Sequence, residues 1–175
     1  KAGSTKSGQD PQFVNNITGA AKSGLSTGAY IYSYAMNVDQ VKAEANQLIA
    51  WLAPYSINYP VVLDIEDKTQ AGLDAATITA MCNAFGDIVS AAGYTPLIYT
   101  YKNFYKAHIT QDMKYGLWIA QYNAGKCDVG SANLWQYTSN GAVAGISTRV
   151  DVNALLTGSF NAKRGNGWYT DGIGT

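Results

Sequence analysis

Apolar and polar positions along this chain follow two periods in turn. GAYIYSYA (28–35), PVVLDIED (60–67) and TPLIYTY (95–101) are short β-branched or aromatic runs between turn residues, which predicts strands. Longer amphipathic stretches lie between them. Asp10 followed by Pro11 predicts the N-cap and first turn of a helix to about Ser23, closed by Gly24. A second helix is predicted from Val38 to about Leu52. Asp74 is placed to cap a third, running to Ala92 with Gly93 at its C-terminal end, and a short fourth should follow from Lys102. LWIAQYN (117–123), ANLWQYTS (132–139) and STRVDVN (147–153) predict three more strands, too closely spaced for full helices between them.

Strands alternating with helices predict an α/β fold with a parallel sheet, either doubly wound or closed into a barrel. Neither GxGxxG nor GxxxxGK[ST] occurs, which takes weight from a nucleotide-binding version. The 175 residues are enough for one domain with a substantial core. Hydrophobic residues make up 47% and charged residues 14%, so a globular chain is expected. The 12 basic and 12 acidic residues cancel and form no basic run, which argues against nucleic acid as partner. No apolar run has the length of a membrane span, so no membrane partner is expected. A monomer is expected.

The carboxylates change this picture. PVVLDIED sets Asp64 and Glu66 in a hydrophobic strand, where an unpaired buried charge is costly. Two residues apart, they point the same way, roughly 6–7 Å from each other. Leu63 and Ile65 point the other way, towards covering helices. Both acids come late in the strand, where parallel α/β architectures bind ligands. Asp151, in RVDVN, is another acid between valines.

Aromatic residues accompany the acids. The chain has 13 Tyr and 4 Trp against 4 Phe, a bias towards rings with a polar handle, suited to sugars. Tyr30, Tyr32 and Tyr34 share a strand face, as do Tyr99 and Tyr101, Trp118 and Tyr122, and Trp135 and Tyr137. Carboxylates ringed by aromatics suit glycoside cleavage, which needs one protonated acid and a second negative group. Apolar walls and a neighbouring carboxylate both favour the protonated state. Taken singly, each feature has another explanation: a solvated strand face for Asp-x-Glu, core packing for the tyrosines, a turn cap for Asp151. His108 has no Ser or Cys partner and is expected at the surface after the short helix, which argues against a triad hydrolase. Cys82 and Cys127 lack metal-site or redox spacing; they are expected as unpaired structural residues, or as a disulfide in an oxidising compartment. Acids alone would suit magnesium or calcium better than zinc.

PVVLDIED, GYTPLIYTY, LWIAQY, LWQYTSNGAVAGI and RVDVN, in that order, resemble the glycoside hydrolase family 25 lysozymes, bacterial and phage N-acetylmuramidases. The resemblance runs from Lys1 to about Gly158. It implies an irregular, TIM-like β/α barrel with sparse helices in its later part. It implies hydrolysis of the β-1,4 bond between N-acetylmuramic acid and N-acetylglucosamine in peptidoglycan, without a metal or other cofactor. By the same resemblance Glu66 matches the general acid, Asp64 the carboxylate that stabilises the transition state or orients the acetamido group, and Asp151 the acid of the final strand. Tyr32, Tyr99, Trp118, Gln136 and Tyr137 are the implied substrate contacts. Peptidoglycan glycan strands are the implied partner, and secretion, wall association or release at phage lysis the implied location.

One departure stands out. Members of the family begin with a strand carrying an Asp-Val-Ser type motif, whereas KAGST here resembles the end of the second strand. A catalytic domain over 1–158, lacking the first strand, is therefore expected, with 159–175 a glycine-rich linker or the start of a second module. A non-catalytic wall-binding protein that keeps the sugar groove is the alternative from another class, and an enzyme acting on chitin a third. Intact Asp64, Glu66 and Asp151 speak for the enzyme, since a binder gains little from grouped acids.

Overall fold

The structure, a computed structural model, describes residues 1–156 and, beyond them, the backbone of residues 161–164 and 167–170. Its centre is an eight-stranded sheet. The strands are β1 (Gly3–Ser4), β2 (Gly8–Gln9), β3 (Ala29–Tyr32), β4 (Val61–Asp64), β5 (Pro96–Tyr101), β6 (Gly116–Ala120), β7 (Ala132–Gly141) and β8 (Val150–Leu155). Their order across the sheet is β2-β1-β3-β4-β5-β6-β7-β8. Neighbours from β1 to β7 run parallel, while β2 and β8 are antiparallel additions at the two ends. Among the described residues no ladder joins β8 to β2. Beyond Leu156, β9 (Asn161–Arg164) and β10 (Gly167–Thr170) pair with each other in a separate antiparallel ribbon. The rest of the expected 159–175 linker lies outside the described residues.

Four helices connect the strands: α1 (Phe13–Lys22), α2 (Val38–Leu52), α3 (Ala75–Ala91) and α4 (Lys102–His108). Two begin at side-chain caps, Asn37 for α2 and, as predicted, Asp74 for α3. Asn37 Oδ1 accepts from the Gln40 N–H at 2.9 Å, and Asp74 Oδ1 from the Thr77 N–H at 2.8 Å. At α3's far end Gly93 takes φ +85°, a left-handed conformation that glycine adopts without a Cβ penalty. The first helix differs from expectation. Asp10 Oδ1 accepts from the Gln12 N–H at 2.9 Å, and this local turn delays α1 to Phe13. Asp10 therefore caps a turn and not the helix. Among the described residues no helix is long and apolar enough to cross a membrane.

Strand alternation divides the sheet into two faces. Ile31, Leu63, Ile65, Ile98, Leu117 and Ile119 are buried in one core with Val41, Leu48 and Leu52 of α2 and Ile78, Met81, Phe85 and Val89 of α3. Both cysteines are free thiols; Cys82 lies in this core, where burial pushes its pKa up to about 12. The residues between those core positions face the other way. That second face carries the site.

Candidate active site

The parallel register aligns the site across four strands. Tyr32 stands opposite Asp64, Asp64 opposite Tyr99, and Tyr99 opposite Trp118. One row thus interleaves an acid with three aromatic residues at the C-terminal ends of β3 to β6. Asp64 is the last residue of β4, and the chain stays extended past it because the Ile65 N–H still bonds the Tyr99 carbonyl at 3.0 Å. Glu66 therefore emerges on the same side as Asp64. β8, antiparallel to β7, brings Asp151 to the same end.

These residues meet in a cavity of about 270 Å³ lined by Tyr30, Tyr32, Asp64, Glu66, Tyr99, Trp118, Gln136 and Asp151. A second, apolar cavity of about 410 Å³ lies towards the N-terminal strand ends and shares Tyr30 and Trp118 with the first. The three predicted acids and four of the five predicted contacts are brought together here. Tyr137 is not. It sits on the opposite face of β7, with its ring 5.6 Å from that of Trp135 and its side chain 38% exposed. Gln136 points into the cavity, so its strand neighbour necessarily points out. Tyr34, beyond the end of β3, also leaves the row and borders a different hollow with Lys6, whose Nζ lies 3.6 Å from the ring centroid.

The acids sit in unlike surroundings. Asp64 is only 7% exposed, and its Oδ1 is buried with no hydrogen-bond partner. Burial, and next the Glu66 charge, push its pKa up from 3.8 to about 8. Glu66 is also raised, first by burial and then by Asp151 and Asp67. As neighbours that titrate together, Asp64 and Glu66 hold a proton between them into the neutral range. Asp67 behaves oppositely: hydrogen bonds from the Thr69 side chain and N–H keep it below the ordinary range, as a carboxylate.

The cavity wall is tied together by polar contacts. Trp118 Nε1 donates to Asn153 Oδ1 at 2.8 Å, and its ring meets that of Tyr99 edge-on at 4.8 Å. The hydroxyls of Tyr99 and Tyr122 both donate to Gln136 Oε1. This fixes the amide of Gln136 and leaves its NH₂ free to donate. Burial raises the pKa of Tyr30 to about 12 and those of Tyr99 and Tyr122 above the ordinary tyrosine range, so all three remain neutral donors. Sequence reasoning left Tyr30 and Tyr122 out of the site. Both were findable, Tyr30 because it shares the strand parity of Tyr32 and Tyr122 because it shares that of Trp118, although it lies past the end of β6. Among the described residues no three His, Cys, Asp or Glu side chains are grouped to hold a metal ion.

The model of the glycosyl hydrolases family 25 matches residues 1–146. The autolytic lysozyme of Clostridium acetobutylicum is 27% identical over 151 residues, covering 85% of this chain and 45% of that protein. Among solved structures, the CTP1L endolysin superposes with a TM-score of 0.74 at 27% identity, over 89% of this chain and 56% of its own. The modular autolysin LytC of Streptococcus pneumoniae gives 0.76 at 28% identity in its complex with a synthetic peptidoglycan ligand, over 87% of this chain and 38% of its own. The chain spans about half the length of the first two of these relatives.

Proposed function

The chain belongs to glycosyl hydrolases family 25, and on that premise we propose that it is a peptidoglycan muramidase. It cleaves the β-1,4 bond between N-acetylmuramic acid and N-acetylglucosamine. The observation that carries this reading is a single cavity in which Asp64, Glu66 and Asp151 are enclosed by Tyr30, Tyr32, Tyr99 and Trp118. Sugar rings lie on aromatic faces, and the cleaved bond lies among the acids. A substrate of this kind is met at the cell wall, so the enzyme works after secretion or after release at lysis. The catalytic unit extends past the family match at residue 146, because β8 carries Asp151 into the same sheet.

The roles follow from the environments. Glu66 protonates the departing glycosidic oxygen. Asp151 reaches the same end of the sheet from the edge strand β8 and supplies negative charge near the sugar carbon that becomes positive. Asp64 has one buried oxygen without a donor, which the substrate's acetamido N–H fills. A hydrogen bond to that oxygen favours the charged form of Asp64, and its charge in turn favours protonated Glu66. Substrate binding thus moves the shared proton to the group that has to deliver it. The NH₂ of Gln136, turned inwards by Tyr99 and Tyr122, donates to a sugar oxygen.

The test is digestion of purified peptidoglycan, borohydride reduction and mass spectrometry of the new ends. Reduced muramic acid is expected. Reduced glucosamine would make the enzyme a glucosaminidase, and no cleavage would return the wall-binding alternative. In the same assay Glu66→Gln should lower turnover by at least about 100-fold while leaving wall binding in place.

A further inference from the structure

Among the described residues the Glu66 carboxylate has no hydrogen bond from the protein. Its place is therefore set by the backbone on either side. Before it, the Asp64 carbonyl accepts from the Ser33 N–H at 2.9 Å. After it, the Asp67 N–H donates to Gln70 Oε1 at 3.1 Å. Both anchors belong to one buried set of contacts. Gln70 Nε2 donates to the Ala35 carbonyl at 2.9 Å and lies 3.3 Å from Ser33 Oγ. Ser33 Oγ donates to Glu44 Oε2 at 2.6 Å, and Glu44 Oε1 accepts from the Tyr34 N–H at 2.9 Å and from Thr5 Oγ1 at 3.1 Å. Glu44 projects from α2, and Ser33, Glu44 and Gln70 are all buried outside the catalytic cavity.

A buried carboxylate is costly, and well-packed apolar residues would often serve stability as well or better. These polar groups gain something apolar ones cannot supply, directional bonds that hold the 64–65 and 66–67 peptide groups, one before Glu66 and one after it. We propose that Gln70, Ser33 and Glu44 form a positioning network that holds the segment bearing Glu66, and hence the acid, at a fixed place in the cavity. The inference rests on Glu66 being the acid of the proposed reaction. Loosening the network lets Glu66 drift from the glycosidic oxygen and gain water. The charged and titratable groups facing Glu66 are Asp64 and Asp67 from its own segment, Asp151 from β8, and Tyr30, Tyr32, Tyr99 and Tyr122. Asp151 and the four tyrosines are held by other strands and remain in place when the network is cut, while Asp67 moves with Glu66, so a change in Glu66 titration reports displacement of this segment.

The test compares Gln70→Met, which removes both polar arms at similar length, with Thr79→Val. Thr79 is a buried α3 residue remote from the cavity, whose hydroxyl accepts from the Thr110 N–H at 2.9 Å. Turnover and KM on peptidoglycan are measured well below each Tm, and the Glu66 carboxyl is titrated by carbon NMR. Gln70→Met should cut kcat by about 10- to 100-fold at nearly constant KM. Its Glu66 midpoint should fall, which moves the alkaline limb of activity to lower pH. Thr79→Val should lower Tm and change neither. A folded Gln70→Met with wild-type kcat and midpoint overturns the proposal, as does a kcat loss that merely follows Tm as in Thr79→Val. Should Gln70→Met fail to fold, Ser33→Ala is read by the same criteria. A wild-type chain that cleaves nothing refutes the muramidase reading alone, since the NMR midpoint still decides the network.

Discussion

Gln136 and Tyr137 are consecutive in β7, yet only the first reaches the cavity. Adjacent side chains on a strand face opposite ways, so of these two residues that the resemblance marks as substrate contacts only Gln136 lines the cavity. Gln136→Leu removes the acceptor that the Tyr99 and Tyr122 hydroxyls share, and with it the inward NH₂. It should lower kcat/KM on peptidoglycan by about 10- to 100-fold, because the cavity loses a donor and the acceptor that fixes the Tyr99 hydroxyl. Tyr137→Ala should leave kcat/KM unchanged. Equal losses for the two variants would mean that substrate also binds the outer face of β7. At this scale the sequence exposed the acids clearly, because charges inside an apolar strand need a reason. It put Tyr122 on the face of Trp118 but left it out of the site, because its bond to Gln136 joins two strands that no local period relates.

Among the elements, α3 shows how the fold aims a strand at the site. Asn83, Gly86 and Asp87 lie on one face of this helix at the spacing of a single turn. Asn83 Oδ1 accepts from the Lys114 N–H at 2.9 Å, its Nδ2 donates to the Asp112 carbonyl at 3.1 Å, and the Tyr115 hydroxyl donates to Asp87. Between them the Tyr115 ring lies flush on Gly86, where an added Cβ would stand 2.1 Å from ring carbons. The segment so docked leads into β6 and Trp118. Gly86→Ala improves intrinsic helix propensity by about 1 kcal/mol, but it drives a methyl into a ring tethered at its hydroxyl. A net destabilisation is expected, of the size usual for overpacking, about 1–3 kcal/mol. Thermal unfolding checks it, and an unchanged or raised Tm would show that Tyr115 moves aside freely. Sequence patterning placed α2 and α3 closely, through a regular apolar stripe and, for α3, Asp74 as cap. It misplaced the start of α1, because Asp10 serves a turn and a helix N-terminus with the same side-chain chemistry.

For the molecule as a whole, the site carries a pH signature. Asp64 titrates near 8 when folded against an ordinary 3.8. Across that window the folded chain keeps a proton that the unfolded chain releases, so this group's contribution to stability falls as pH rises and levels off above it. Asp67 has the opposite sign, since its folded pKa is depressed; its contribution is present at neutral pH and lost as pH falls through that value. Asp64→Asn should therefore flatten the dependence of Tm on pH between 3.8 and about 8 and give the more stable protein at the upper end, at the expense of turnover. Parallel Tm curves for the two proteins would show that Asp64 is charged in the fold throughout. The sequence by itself determined the α/β class, the positions of α2 and α3 and the face on which Asp64 and Glu66 lie, because those depend on periods of two and three to four residues. Which strands neighbour one another was decided only in three dimensions. Tyr32, Asp64, Tyr99 and Trp118 form a row through ladder register between distant segments, and Asp151 joins them through an antiparallel strand. The raised pKa values belong to the tertiary structure for the same reason, since burial and neighbouring charge exist only once the strands have assembled around them.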